Sequence, residues 1–142
     1  AGVLRGWGTR RGSFPTTAPL DSPNLTVFGG NPEDMAVAAN AVIAAGGGMA
    51  AAAGGEVLAL LPLPVSGLVS RSGLVEVAAD FAALREAMDR VVDWEPPYLI
   101  FKACFGATLA CNLGPHQTDL GIADIARGGV LASPILDILS GT

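Results

Sequence analysis

The stretch NPEDMAVAANAVIAAGGGMAAAAGGEVLALLPLP, Asn31 to Pro64, reads as one helix followed at once by one hairpin, and that succession sets the architecture. Asn31 is a good N-cap, Pro32 suits the first helical position, and Glu33 and Asp34 complement the positive end of a helix dipole. Met35, Ala38, Ala39, Val42 and Ala45 then recur at helical spacing until Gly46 stops the helix. Val37, Ala41 and Ile43 lie off that stripe and are also apolar, so the helix is expected to be covered on more than one side. Met49 to Ala53 and Glu56 to Leu61 flank Gly54-Gly55, a pair that takes positive φ readily at both central positions of a tight turn. Pro62 and Pro64 end the ladder, and the chain turns at Pro64-Val65-Ser66-Gly67.

Upstream, Val3 to Trp7 and Ser13 to Thr17 are expected to pair as short strands around a glycine-spaced basic turn. Leu25 to Phe28 reads as a buried strand, apolar on both faces, entered through the corner Asp21-Ser22-Pro23-Asn24. Downstream, a second helix is expected from about Leu74 to Val92, with Leu74, Val77, Ala78, Phe81, Leu84, Met88 and Val91 on its buried face. Its outer face carries Glu76, Asp80, Arg85, Glu86, Asp89 and Arg90, and Asp93 to Pro97 breaks it. Tyr98 to Cys111 fits either strand or short helix, Pro115 to Asp124 reads as a loop, and the tail has enough apolar residues to dock a short helix after Ser133. Strands in hairpins with helices between them give an α+β fold, a largely antiparallel sheet with two main helices packed against it, in a single domain over residues 1–142.

Composition narrows the function. A chain of 142 residues is long enough to bury a core without disulfides or metals. It is 51% hydrophobic and 15% charged, with a mean hydropathy of +0.50, greasier than an average soluble domain. Part of that surplus is expected to face another protein surface. The net charge of −5, with only Arg10 and Arg11 clustered, argues against a nucleic-acid partner. The weakly polar run Met35 to Ala53 is broken by a triple glycine and does not make a membrane span, and nothing near Ala1 resembles a secretory signal. A cytoplasmic location is expected. Cys104 and Cys111 read as buried thiols.

Several motifs fall in a familiar order. They are Gly6-Trp7-Gly8, the pair Arg10-Arg11, Gly12, Asp21-Ser22 with Asn24, and Asn31 with Glu33-Asp34-Met35-Ala36. Gly46-Gly47-Gly48, Leu60-Leu61-Pro62-Leu63-Pro64, Gly67-Leu68, Glu76-Val77-Ala78 and Thr118 to Asp124 follow. Over roughly residues 3 to 125 this succession resembles the C-terminal domain of bacterial adenine deaminases, in the amidohydrolase superfamily. The resemblance implies an accessory domain of a hydrolase that converts adenine to hypoxanthine and ammonia. It also implies a partner, either the catalytic amidohydrolase barrel or an identical subunit, and a divalent metal in that barrel. No cofactor is expected in this chain. Its one histidine, His116, reads as an ordinary turn or surface residue and does not supply the HxH pair of such a metal site.

The site residues singled out as ligand-binding are Arg10, Arg11, Asp21, Ser22 and Asn24; none is assigned to catalysis or to a metal. Members of the family commonly read His-Asp-Ser-His-Asn at the corner, whereas Leu20 and Pro23 stand at the histidine positions here. Asp21 and Asn24 then either keep a remnant of a site or simply stabilise a turn. Gly6 to Gly12 is one residue off the dinucleotide fingerprint and leads into a strand, so its arginines are expected to meet an acidic neighbouring surface instead. Ser22, His116 and Asp119 lack a nucleophile elbow and do not make a triad. The alternative to the accessory domain is a free-standing module that lost the family's histidines and holds a small ligand, or serves as an interaction module.

Overall fold

A computed structural model describes residues 11–19, 24–93, 115–118, 120–124 and 126–131. The expected strand at Val3 to Trp7, the Tyr98 to Cys111 stretch, both cysteines and the C-terminal tail lie outside the described residues. The order is β1 (Ser13–Thr16), β2 (Thr26–Gly29), α1 (Pro32–Ala44), β3 (Gly48–Ala53), β4 (Glu56–Pro62), α2 (Leu74–Val91), β5 (Pro115–Thr118), β6 (Gly121–Asp124) and β7 (Gly129–Val130). One antiparallel sheet runs β2-β1-β3-β4 and a smaller one runs β5-β6-β7. This is the expected α+β arrangement.

The strand period of two sorts the main sheet into two faces. Phe14, Phe28, Met49, Ala51 and Leu61 share one face, where they form a buried cluster with Leu84, Ala87, Met88 and Val91 of α2. Phe14 and Phe28 are cross-strand partners, stacked with centroids 5.1 Å apart and planes 14° from parallel. Ala50 and Ala52 point the other way and are fully buried, as are Ala38 and Val42 of α1. The two helices therefore cover opposite faces. The alanines of β3 and α1 let backbone approach backbone on the α1 side, while the bulky cluster fills the α2 side.

Two expectations change here. Leu25 to Phe28 is not a strand buried on both faces: β2 is an edge strand in which only Phe28 is buried. Of the off-stripe residues of α1, Val37 and Ala41 are half-buried but Ile43 is 62% exposed, so cover extends past the expected stripe on one flank and not on the other.

Local chemistry explains the ends of α1. Asn31 Oδ1 accepts from the Asp34 backbone N–H at 2.8 Å, the capping bond its residue type predicts. At the other end Gly46 takes φ +77°, Gly46 N–H donates to Ile43 O and Gly47 N–H to Val42 O, closing a Schellman motif. Gly54 and Gly55 adopt φ +64° and +80°, a type I′ turn between Ala53 and Glu56.

Asp34 ties these local pieces together. Its buried carboxylate accepts from Gly55 N–H at 2.7 Å and from Asn31 Nδ2 at 2.7 Å, so the start of α1 is clamped to the tip of the β3–β4 hairpin. The Gly55 bond, with Asn31 second, holds the carboxyl below its ordinary 3.8. A depressed folded value means that the contribution is fully present above the unfolded value and is lost as pH falls through the folded one. Asp34→Ala is therefore expected to lower stability at neutral pH and to narrow its gap from the wild type as acid protonates the native carboxyl. Urea titrations across the acid range measure that gap, and a gap independent of pH would refute the clamp.

The segment Pro115 to Asp124 is not the loop its composition suggests. It forms the β5–β6 hairpin, with Thr118 paired to Gly121. Gly121 takes φ +135°, Thr118 Oγ1 donates to Gly121 O at 2.7 Å, and Leu120 N–H donates to Thr118 Oγ1. These bonds supply the turn. No helix among the described residues is long and apolar enough to cross a membrane.

Candidate functional site

Arg11 and Asn24 are the two described members of the ligand-binding set; Arg10, Asp21 and Ser22 lie outside the described residues, as do Leu20 and Pro23. Arg11 precedes β1 at the end where Ser13 pairs with Gly29, and Asn24 precedes β2 at the end where Thr16 pairs with Thr26. The β1–β2 hairpin therefore holds them at opposite ends, on the order of 20 Å apart at the usual strand rise.

Arg11 is placed by the C-terminus of α2. Its Nε donates to Arg90 O at 3.3 Å, and its backbone N–H lies 3.5 Å from Val91 O. A guanidinium on the last carbonyls of a helix satisfies acceptors that have no partner within the helix and meets the negative end of the dipole. Arg11 thus acts within this chain. An open groove of about 460 Å³ runs beside it, lined by Arg11, Asp89, Arg90, Val91, Val92 and Asp93. Two arginines face two aspartates there, so the groove has no strong preference for either charge sign.

Asn24 is exposed and two residues ahead of β2. Close to that end of the hairpin lies the best-built polar junction of the main sheet. Thr17 Oγ1 donates to Gly67 O at 2.7 Å, lies 3.2 Å from Gly48 O, and accepts from Gly48 N–H at 2.7 Å. It joins the exit of β1 to the entry of β3 and to the 65–69 loop. Sequence reading gave Thr17 no role beyond ending a strand, because its partners are 31 and 50 residues away.

His116 is buried, not at the surface as expected, and sits on β5 opposite Ala123. Asp124 is also buried, but it is the next residue along β6 and so belongs to the opposite face. Its Oδ1 accepts from Ala126 N–H at 3.0 Å and its Oδ2 lies 3.4 Å from Arg127 Nε. The two residues do not form a histidine–carboxylate pair. Among the described residues no three His, Cys, Asp or Glu side chains gather as a metal site would require.

A surface feature escaped the sequence reading. Leu74, Ala78 and Phe81 were assigned to the buried face of the second helix, yet all three are exposed and burial begins at Leu84, with Val77 halfway. The available signal was residues 74–83, apolar around nearly the whole helix and not along one stripe.

Comparison with known proteins agrees with the motif order. The family model described as "Adenine deaminase C-terminal domain" matches residues 1–128. The chain is 68% identical over 136 residues to "Adenine deaminase 2" of Rhizobium meliloti, covering 96% of this chain and 23% of that protein. It is 51% identical over 122 residues to "Adenine deaminase" of Serratia proteamaculans, and 39% over 124 residues to "Adenine deaminase" of Clostridium botulinum, covering 20% of each. It thus spans about a quarter or less of the length of these relatives. On the extent of the family match and these identities, the chain belongs to the adenine deaminase C-terminal domain family.

Proposed function

We propose that this chain is the accessory C-terminal domain of an adenine deaminase-like hydrolase, docked on the catalytic amidohydrolase barrel and without deaminase activity of its own. The observation that carries the reading is one of span. Nearly the whole chain matches, but only 23% of the first relative's length is matched, so most of that protein's working parts lie elsewhere. Replacing the exocyclic amine of adenine with oxygen requires an activated water and a group to protonate departing ammonia. In the amidohydrolase barrel a divalent metal supplies the activated water. The described residues do not fit that group: the one histidine of the chain is buried in β5, and Asp124 belongs to the other face of the hairpin. On this reading the domain works in the cytoplasm, with the purine chemistry in the barrel.

Ammonia release from adenine by the free chain, with and without added Zn²⁺, Mn²⁺ or Fe²⁺, tests this. No turnover is expected under any condition. Metal-dependent turnover by the free chain would overturn the accessory reading. A thermal shift with adenine and no turnover would support a small-ligand module instead.

A further inference from the structure

The outer surface of α2 changes character halfway along. Over its second half Arg85, Glu86, Asp89 and Arg90 are exposed, opposite buried Leu84, Ala87, Met88 and Val91, the usual pattern for a helix between a sheet and water. Over residues 74–83 the exposed positions are Leu74, Val75, Ala78, Ala79, Phe81, Ala82 and Ala83, with Glu76 the one charged residue fully among them. Leu74 is 85% and Val75 81% exposed. Covering such side chains is favourable, and this arrangement leaves that gain unrealised.

The chain just ahead of α2 adds to this surface. Val65, Leu68 and Val69 are exposed, and Val69 is five residues from Leu74, at most about 18 Å away along an extended chain. Their backbone is fixed. Val65 N–H donates to Val69 O and Val69 N–H to Val65 O, both at 3.1 Å, and Thr17 Oγ1 holds Gly67 O. Ser66 is kept at φ +54°, a conformation unfavourable for a non-glycine residue that persists only where its surroundings impose it. Apolar side chains on a pre-ordered backbone lose little further freedom when they are covered.

We infer that the 65–69 loop and residues 74–83 of α2 form the face by which this domain docks on the remainder of an adenine deaminase-type chain. The inference rests on the accessory-domain reading and names its surface. The occupant follows from length: the first relative carries roughly three-quarters of its residues outside the matched segment, in the same polypeptide and so at high effective concentration. Leu68, Val69, Leu74 and Val75 are large, apolar and exposed, which suits a contact that stays closed, since permanent interfaces are the more apolar ones; Arg71, Glu76 and the half-buried Asp80 are the charges beside them. The switch to Arg85, Glu86, Asp89 and Arg90 marks where the covered area ends.

Hydroxyl-radical footprinting, read residue by residue by mass spectrometry, tests the assignment on two proteins. One is the free chain; the other is a chimera in which this chain replaces the segment it matches in the Rhizobium meliloti relative. Oxidation of Leu68 and Leu74 is expected to fall severalfold in the chimera, while Ile43 on α1 keeps its rate. Reporters unchanged while other residues become protected would overturn this surface and leave the accessory reading standing. No protection anywhere, with the two parts unfolding independently, would overturn both. Protection of the reporters already in the free chain would also overturn the inference, assigning the face to a second copy if it grows with concentration and to the chain's own residues if it does not.

Discussion

Gly48→Ala is expected to lower stability by about 4 kcal/mol or more, enough to unfold a domain of ordinary marginal stability. Gly48 opens β3 at φ +139°, a region that L side chains rarely adopt. A methyl group there would collide with the Leu61 carbonyl oxygen and press to 3.1 Å on both Leu61 C and Leu63 N. All three obstacles are backbone, in or just beyond the paired strand β4, so no side-chain rotation relieves them. The same residue exchanges bonds with Thr17 in both directions, and any shift of its backbone loosens the junction of β1, β3 and the 65–69 loop. Gly54→Ala is the control. It shares a positive φ of +64° but would meet nothing within 4 Å, so only the dihedral penalty of about 1 kcal/mol applies. Equal losses for the two variants, measured by urea denaturation followed by circular dichroism, would show that the close approach at Gly48 does not matter.

What could be read from the sequence was local. The Asn31 cap, the Gly46 stop and the Gly54-Gly55 turn each draw on residues within a few positions, and the structure places α1 and the β3–β4 hairpin where those signals put them. The β5–β6 hairpin was missed because β5 opens on a proline and His116 and Gln117 carry no strong strand preference; its turn depends on a Thr118 side-chain bond that composition does not announce. Long-range partners were invisible. Arg11 was read as facing a neighbouring protein, and nothing in residues 1–30 says that the end of a helix 79 residues away would take its Nε.

Periodicity has a related limit, visible in α2. The spacing of Leu74, Val77, Phe81, Leu84 and Met88 correctly marks an apolar face, but it does not say how much of that face the sheet reaches. The burial pattern shows which part is covered: Leu84 to Val91 lie in the core and the first turns do not. Among the described residues, exposed apolar side chains gather here, on the part of the helix the sheet leaves open.

Two leucines on this one helix measure the distinction. Leu84 is 1% exposed within the Phe14, Phe28 and Met49 cluster, and Leu84→Ala is expected to cost about 3 kcal/mol through lost burial and the cavity left behind. Leu74 is 85% exposed, and Leu74→Ala is expected to change the stability of the free chain by less than about 0.5 kcal/mol, the range of ordinary surface substitutions. Both exchanges replace leucine by alanine in one helix, so intrinsic propensity contributes in the same direction to each and largely cancels in the comparison. Urea denaturation of the two variants gives the difference directly. A Leu74→Ala loss as large as that of Leu84→Ala would mean that the start of α2 is already covered within the free chain, and the face would then have no room for the rest of a longer polypeptide. A loss confined to Leu84 leaves Leu74 with no role in holding this domain together, which is the behaviour required of a side chain kept for a contact outside it.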